Sequence, residues 1–438
     1  MTVKFIPSQI GHQSDTPIPY TGDPLRLCWA DVLLFINSSW SIVGVLYPID
    51  QWLCGPLDEL YPSIKNLTCL ALHGFLIVLQ TFFLISLPFT IVFPLWTSIL
   101  YVAAVMAVIL GVSFILNGTE DSQKSKIDLG ADADKYPNEA WVYLNGVSVG
   151  KHWLQGNLDR LALTFRRPII GVHNRTYGII FDLIQCIIER NFCYATNDTR
   201  NSYALIKDCL VSEQHKKVVL ILHSQGGIEG SLILDWLLSE LPHDTVGKLE
   251  IYTFGSAANH FNNPHRTSTT STQIDTTVDF QPERIDKAVR HIEHYANDGD
   301  FVARWGVLSF TRLRARYMGR VFIRSGMGHL LNQHYLNVMF PLDPTTKRVI
   351  EDNEFMQRAV GFSDVGAADR AREEVFETLL NGGDGTSGAI VEDVNSPVEP
   401  VSIRRAESLL AAKMAGKAPR VRAFSRLWEY RNGGSPDN

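Results

Sequence analysis

Val218-Val219-Leu220-Ile221-Leu222-His223-Ser224-Gln225-Gly226-Gly227 is the stretch whose reading decides the fold. Its first five residues are all β-branched or Leu, and such an unbroken apolar run predicts a strand buried on both faces. Apolar positions then recur through 227–241, which predicts a helix. Between the two stands a serine, followed by Gln225 and two glycines. Small residues at a sharp strand-to-helix turn let the helix start close to the strand and leave the hydroxyl clear of the sheet. The dipole of that helix favours negative charge beside the serine.

Working outward, short β-rich runs alternate with longer helical patterns. Strands are predicted at 141–144, 168–172, 218–222 and 249–254, and helices at 153–165, 178–190, 203–211 and 227–241. Later strands near 289–296 and 320–323, then a helix starting near His329, continue the series. This alternation implies βαβ units, so the fold class is α/β, with a mostly parallel sheet flanked by helices over 140–380. Residues 260–286 carry Asn, Pro, Thr and Ser without a period and read as a surface insertion.

A serine nucleophile needs a base to take its proton and an acid to orient that base. Gly326-Met327-Gly328-His329 follows the strand ending at Ile323 and supplies a loop histidine, while His334 lies five residues on, inside the expected helix. Asn297-Asp298-Gly299-Asp300-Phe301-Val302 follows the preceding strand and offers two carboxylates, Asp298 and Asp300. The backbone N–H of Gln225, next after the serine, faces the position where an oxyanion would form.

In these residues the chain resembles the α/β-hydrolase superfamily, especially its lipase and serine esterase branches. Leu222 stands where the family's G-x-S-x-G pattern has its first glycine. The resemblance implies Ser224 as nucleophile, Asp300, which precedes an apolar-Val pair, as acid, and His329, which opens a Gly-His turn, as base. Their order along the chain is the one this fold uses. It also implies a second oxyanion donor at Val147, in the loop Asn145-Gly146-Val147-Ser148 after an early strand. The expected activity is cleavage of a carboxylic ester, through an acyl-enzyme and with neither cofactor nor metal. The alternative is a catalytically inactive hydrolase fold serving as a membrane interaction module.

The setting is read from composition. Among 438 residues, 45% are hydrophobic and the net charge is -6, which gives no basic field to gather nucleic acid. Six cysteines without C-x-x-C spacing argue against zinc and against a dense disulfide framework. Residues 1–66 lack the pattern of a signal peptide, and 28–47 form an apolar stretch interrupted by Asp31, an interfacial helix or a weak third span. From Asn66 to Thr119 there is no Asp, Glu, Lys or Arg. About 20 apolar residues make one span, so 67–116 predicts a hairpin of two helices, 67–87 and 95–116, broken at Pro88 and Pro94. Residues 117–139 read as a linker, and 381–438 as a disordered linker followed by a basic tail rich in Arg and Lys. A transporter or channel is disfavoured by the uncharged spans. The expected location is a membrane, endomembrane or lipid-droplet surface, with the catalytic domain on the cytosolic side and a lipid or other lipophilic ester as substrate. Four N-x-T motifs, at Asn66, Asn117, Asn174 and Asn197, match the glycosylation pattern.

Overall fold

The computed structural model describes residues 2–6, 8, 23–49, 55–264, 288–313, 316–362 and 419–436. Its strands are β1 (Val3–Ile6), β2 (Ser122–Lys124), β3 (Glu139–Leu144), β4 (Ile170–Val172), β5 (Lys217–His223), β6 (Leu249–Phe254), β7 (His291–Asn297), β8 (Arg320–Arg324) and β9 (Val360–Phe362). They form one sheet in the order β2-β4-β3-β5-β6-β7-β8-β1-β9. From β4 to β8 every neighbouring pair is parallel. At the edges β2 pairs antiparallel with β4, β1 antiparallel with β8, and β9 parallel with β1.

The unbroken apolar run in β5 is explained by cover on both faces. Val219 and Ile221 enter a cluster with Trp141, Tyr143, Tyr252 and Phe254. Val218, Leu220 and Leu222 enter a second with Val142, Leu144 and Ile251. Covering helices are α1 (Pro24–Ser38), α2 (Ile64–Ser86), α3 (Leu95–Asn117), α4 (Lys151–Phe165), α5 (Ile179–Phe192), α6 (Asn197–Val211), α7 (Gln225–Glu240), α8 (His243–Val246) and α9 (Phe301–Trp305).

Three helical stretches are long and apolar enough to cross a membrane: Pro24–Val45, Ile64–Val92 and Leu95–Asn117. Asp31, which interrupts the first in sequence, is buried against the domain, 2.7 Å from Arg190. Trp305 Nε1 and Asn191 Nδ2 donate to the same carboxylate at 2.8 and 2.7 Å. It is a docking group.

The domain boundaries also differ from the expectation. β1 comes from the region read as preceding the membrane hairpin, and β2 from the stretch read as a linker. Both are too short for periodicity to reveal. The end of the basic tail is part of the core: Val421, Leu427, Trp428 and Tyr430 are buried beside Trp141 and Phe165. Arg426 there lies 2.9 Å from Glu250 of β6. The expected linker 381–400 and the rest of the tail up to 418 lie outside the described residues. So do 265–286 of the expected insertion, whereas His260 and Asn263 at its start are buried, bonded to Asp235 and to the backbone of Val289. Asn66, Asn117 and Asn174 of the glycosylation motifs are buried, while Asn197 is exposed.

Candidate active site

The strand following β3 lies on one side of it and the strand following β4 on the other, so the sheet reverses its winding between β3 and β5. A crevice opens outside the carboxyl ends of the strands at such a switch point. Asn145 and Gly146 leave β3 there, and Ser224 leaves β5.

Ser224 sits at φ 58, ψ -121, the turn between β5 and α7. A non-glycine residue in this region is strained and persists only where its surroundings over-determine it. They do. The Ser224 N–H donates to Phe254 O at 3.1 Å, and its own carbonyl accepts from Gly227 and Ala257 at 3.0 Å each. A Cβ on Gly226 would fall 2.5 Å from Leu144 O, and one on Gly146 2.9 Å from Ser224 Oγ. Both glycines are therefore demanded by close approach.

Leu222, two residues before Ser224, is fully buried and fills the space beside Gly230 of α7, where a Cβ would lie 2.3 Å from Leu222 Cδ1. Gly230→Ala is accordingly expected to destabilise the protein by about 1–3 kcal/mol through overpacking. Adding Leu222→Ala should restore part of the loss in thermal unfolding, and strictly additive effects would refute the pairing.

Asp300 and His329 are brought together: His329 Nδ1 lies 2.8 Å from Asp300 Oδ2, with Asp300 fully buried. A carboxylate only accepts, so Nδ1 carries the proton and Nε2 the lone pair. Tyr335 donates its hydroxyl to Asp300 Oδ2 at 2.8 Å, and Val302 N donates to Oδ1 at 2.9 Å. His329 Nε2 is buried and has no hydrogen-bond partner among the described residues. Its ring stacks on His223, the residue before Ser224, at 4.6 Å between centroids, and His223 Nε2 donates to His329 O at 2.7 Å. Burial, and then the neighbouring His329, hold His223 well below the usual histidine range, so it stays neutral.

The two rivals are occupied elsewhere. His334 accepts from Leu330 N through Nδ1 at 3.1 Å and donates to Pro48 O through Nε2 at 3.0 Å, which commits both ring nitrogens. Burial pushes it down to about 4. Asp298 Oδ1 accepts from Gly326 N at 3.0 Å and so braces the turn leading to His329. Of the two expected oxyanion donors, Gln225 opens α7 and Val147 follows Gly146 over Ser224. No loop or cap hydrogen bond within the described residues uses either backbone N–H.

Several groups at the site carried no sequence signal. Gly328 N and His329 N donate to Gly44 O and Val45 O at 2.8 and 3.0 Å, so the segment after α1 holds the histidine turn. Asp182 of α5 accepts from Ser148 N, Thr176 Oγ1 and Tyr177 N at 3.0, 2.6 and 2.8 Å, joining the loops after β3 and β4. Gln225 Nε2 donates to Glu189 at 2.9 Å, and burial pushes Glu189 up to about 7.

No protein-family model matches the chain, and no curated protein matches it. The class of molecule therefore rests on its fold and on the geometry of these residues.

Proposed function

We propose that the chain is a membrane-anchored serine hydrolase of the α/β-hydrolase type, cleaving a carboxylic ester of a lipid through an acyl-enzyme on Ser224. One observation carries this reading: a strained serine at φ 58 on the carboxyl end of β5, whose preceding residue His223 stacks on the histidine of the buried Asp300–His329 pair. Isolated strain has no evident use, but at a nucleophile it raises the hydroxyl toward substrate.

In this mechanism His329 Nε2 takes the proton of Ser224 Oγ as the oxygen attacks the ester carbonyl. The oxyanion of the tetrahedral intermediate is met by the N–H groups of Gln225 and Val147. Its collapse breaks the ester bond, and the departing alcohol takes the proton from His329. Water, deprotonated by the same nitrogen, then releases the acid and restores Ser224. Asp300 stays ionised and stabilises the imidazolium, with Tyr335 and Val302 fixing its carboxylate.

A lipid substrate is supported by the apolar helices α1 to α3 packed around this domain, many of whose large side chains are exposed. A fluorophosphonate probe added to the folded, detergent-solubilised full chain should label Ser224 and no other residue, as read by peptide mass spectrometry. Absence of label from folded protein would return the chain to the inactive interaction module. Micellar esters should be turned over faster than monomeric ones of the same acyl group, and a preference for soluble short-chain esters would count against a lipid substrate.

A further inference from the structure

The sheet constrains how the apolar helices sit in a membrane. β1 precedes all three candidate spans and β2 follows them, yet both are strands of one sheet. The number of crossings between them must therefore be even, which excludes three spans. α1 is the one that does not cross: the Asp31–Arg190 pair ties its middle to the domain, and the carbonyls of Gly44 and Val45 tie the segment that follows it. α2 and α3 then either cross as a pair or do not cross.

Polar residues of α2 decide between these. Asn66, His73 and Gln80 recur every seven residues on one face, and all are buried. Trp153 Nε1 donates to Asn66 Oδ1 at 3.0 Å, the Trp153 ring stacks on His73 at 5.4 Å, and Gln80 Nε2 donates to Tyr177 O at 2.5 Å. Phe83 meets Phe181 of α5 edge-on at 6.3 Å. The helix is thus docked on the domain from Asn66 to Phe83. On α3, Asn117 donates to Thr176 O at 2.8 Å, so that helix also ends at the domain.

What projects beyond is short. The nine residues 84–92, α-helical at ~1.5 Å per residue as far as Ser86 and 3-10 helical at ~2.0 Å beyond it, reach about 17 Å, against a hydrocarbon core about 30 Å thick. The tip is apolar rather than polar, with Ile91 85% and Val92 79% exposed. A connection emerging into water on the far side would have to solvate these side chains, whereas half a bilayer buries them.

We propose that the α2–α3 hairpin is a monotopic anchor: it enters the bilayer leaflet facing the catalytic domain and leaves through the same leaflet. This rests on the membrane-anchor reading above and adds depth and sidedness to it. The apolar outer faces of α1, of the segment after it and of α5, including Trp29, Trp40, Ile184 and Ile188, then lie at the lipid surface.

The test places a cysteine at the tip of the full chain, Ile91→Cys, with Val92→Cys as an independent second site, in sealed vesicles of known orientation. Neither variant should react with a membrane-impermeant maleimide above the background of the parent chain, whether vesicles are sealed or opened. A membrane-permeant maleimide should label both, and detergent should make both reactive to the impermeant reagent. Labelling that appears when the face opposite the domain is exposed would overturn the proposal in favour of two full spans. Labelling in vesicles sealed with the domain outward would overturn it in favour of a tip lying outside the bilayer. Extraction of the parent chain by alkaline carbonate would instead remove the anchor reading itself, and this inference with it.

Discussion

Ser224→Ala and His329→Ala are each expected to lower kcat for short and medium acyl esters by about three to six orders of magnitude, leaving the fold intact. Ser224 loses the attacking oxygen. His329 loses the lone pair at Nε2, which His334 cannot replace, because both of its ring nitrogens are already bonded. Asp300→Asn should cost about four orders of magnitude, since an amide permits the wrong imidazole tautomer beside Ser224. Removal of any two of these should cost little more than removal of one, because they act as a unit. His334→Ala should retain most of its kcat, with effects confined to stability through the lost bond to Pro48. Full activity in His329→Ala with loss in His334→Ala would overturn the assignment. Circular dichroism on each variant separates chemistry from unfolding.

The second large effect lies at the opposite end of the strands. Arg426→Ala strips the partner from Glu250, which also accepts from the hydroxyls of Tyr252 and Tyr430 at 2.7 and 2.8 Å. Breaking a buried pair from one side leaves the carboxylate with only the weaker pull of His291 and Lys217, and a loss of roughly 3–5 kcal/mol is expected. Burial alone would raise Glu250, but Arg426, His291 and Lys217 outweigh it and hold the carboxyl down at about 2. A carboxyl lowered on folding contributes stability that is complete above the unfolded value of 4.5 and fades as pH falls toward 2. Unpaired, the same buried carboxyl is raised, and the variant gains from protonation. The gap in Tm between parent and Arg426→Ala should therefore narrow from pH 7 to pH 4. A constant gap would show that Arg426 acts through packing alone. Glu250→Gln added to Arg426→Ala should recover part of the loss at pH 7.

These two regions differ in how far they could be read from sequence. The β5 run and the glycines after Ser224 announce themselves because a buried strand and a close turn leave few residue choices. The choice of Asp300 over Asp298, and of His329 over His334, follows from hydrogen bonds between candidates that stand two and five residues apart in sequence. Leu222 looked like a fault in the turn because Gly230, which makes room for it, lies a turn and a half along the next helix. Asp31 looked like a break in a membrane segment because its partner Arg190 is 159 positions away. The arginines of the tail suggested a solvated or membrane-lying face, since charge counts cannot tell an exposed Arg from one locked to Glu250. β1 and β2 were invisible for a simpler reason: three or four residues carry too few alternations to define a strand.

The pairing of Lys4 with Ile323, and of Val3 with Val360, also sets a timetable for biosynthesis. β1 leaves the ribosome more than 300 residues before its partners β8 and β9. Meanwhile the hairpin emerges with Asn66, His73 and Gln80 facing no domain, and must be kept from aggregating until Trp153 and Tyr177 have been made. The turn carrying His329 rests on the carbonyl of Val45, so the histidine settles only when the two halves of the chain have met. A nascent or truncated fragment should thus lack the buried Asp300–His329 pair, and the surroundings of Ser224 would be complete only after the hairpin has been made.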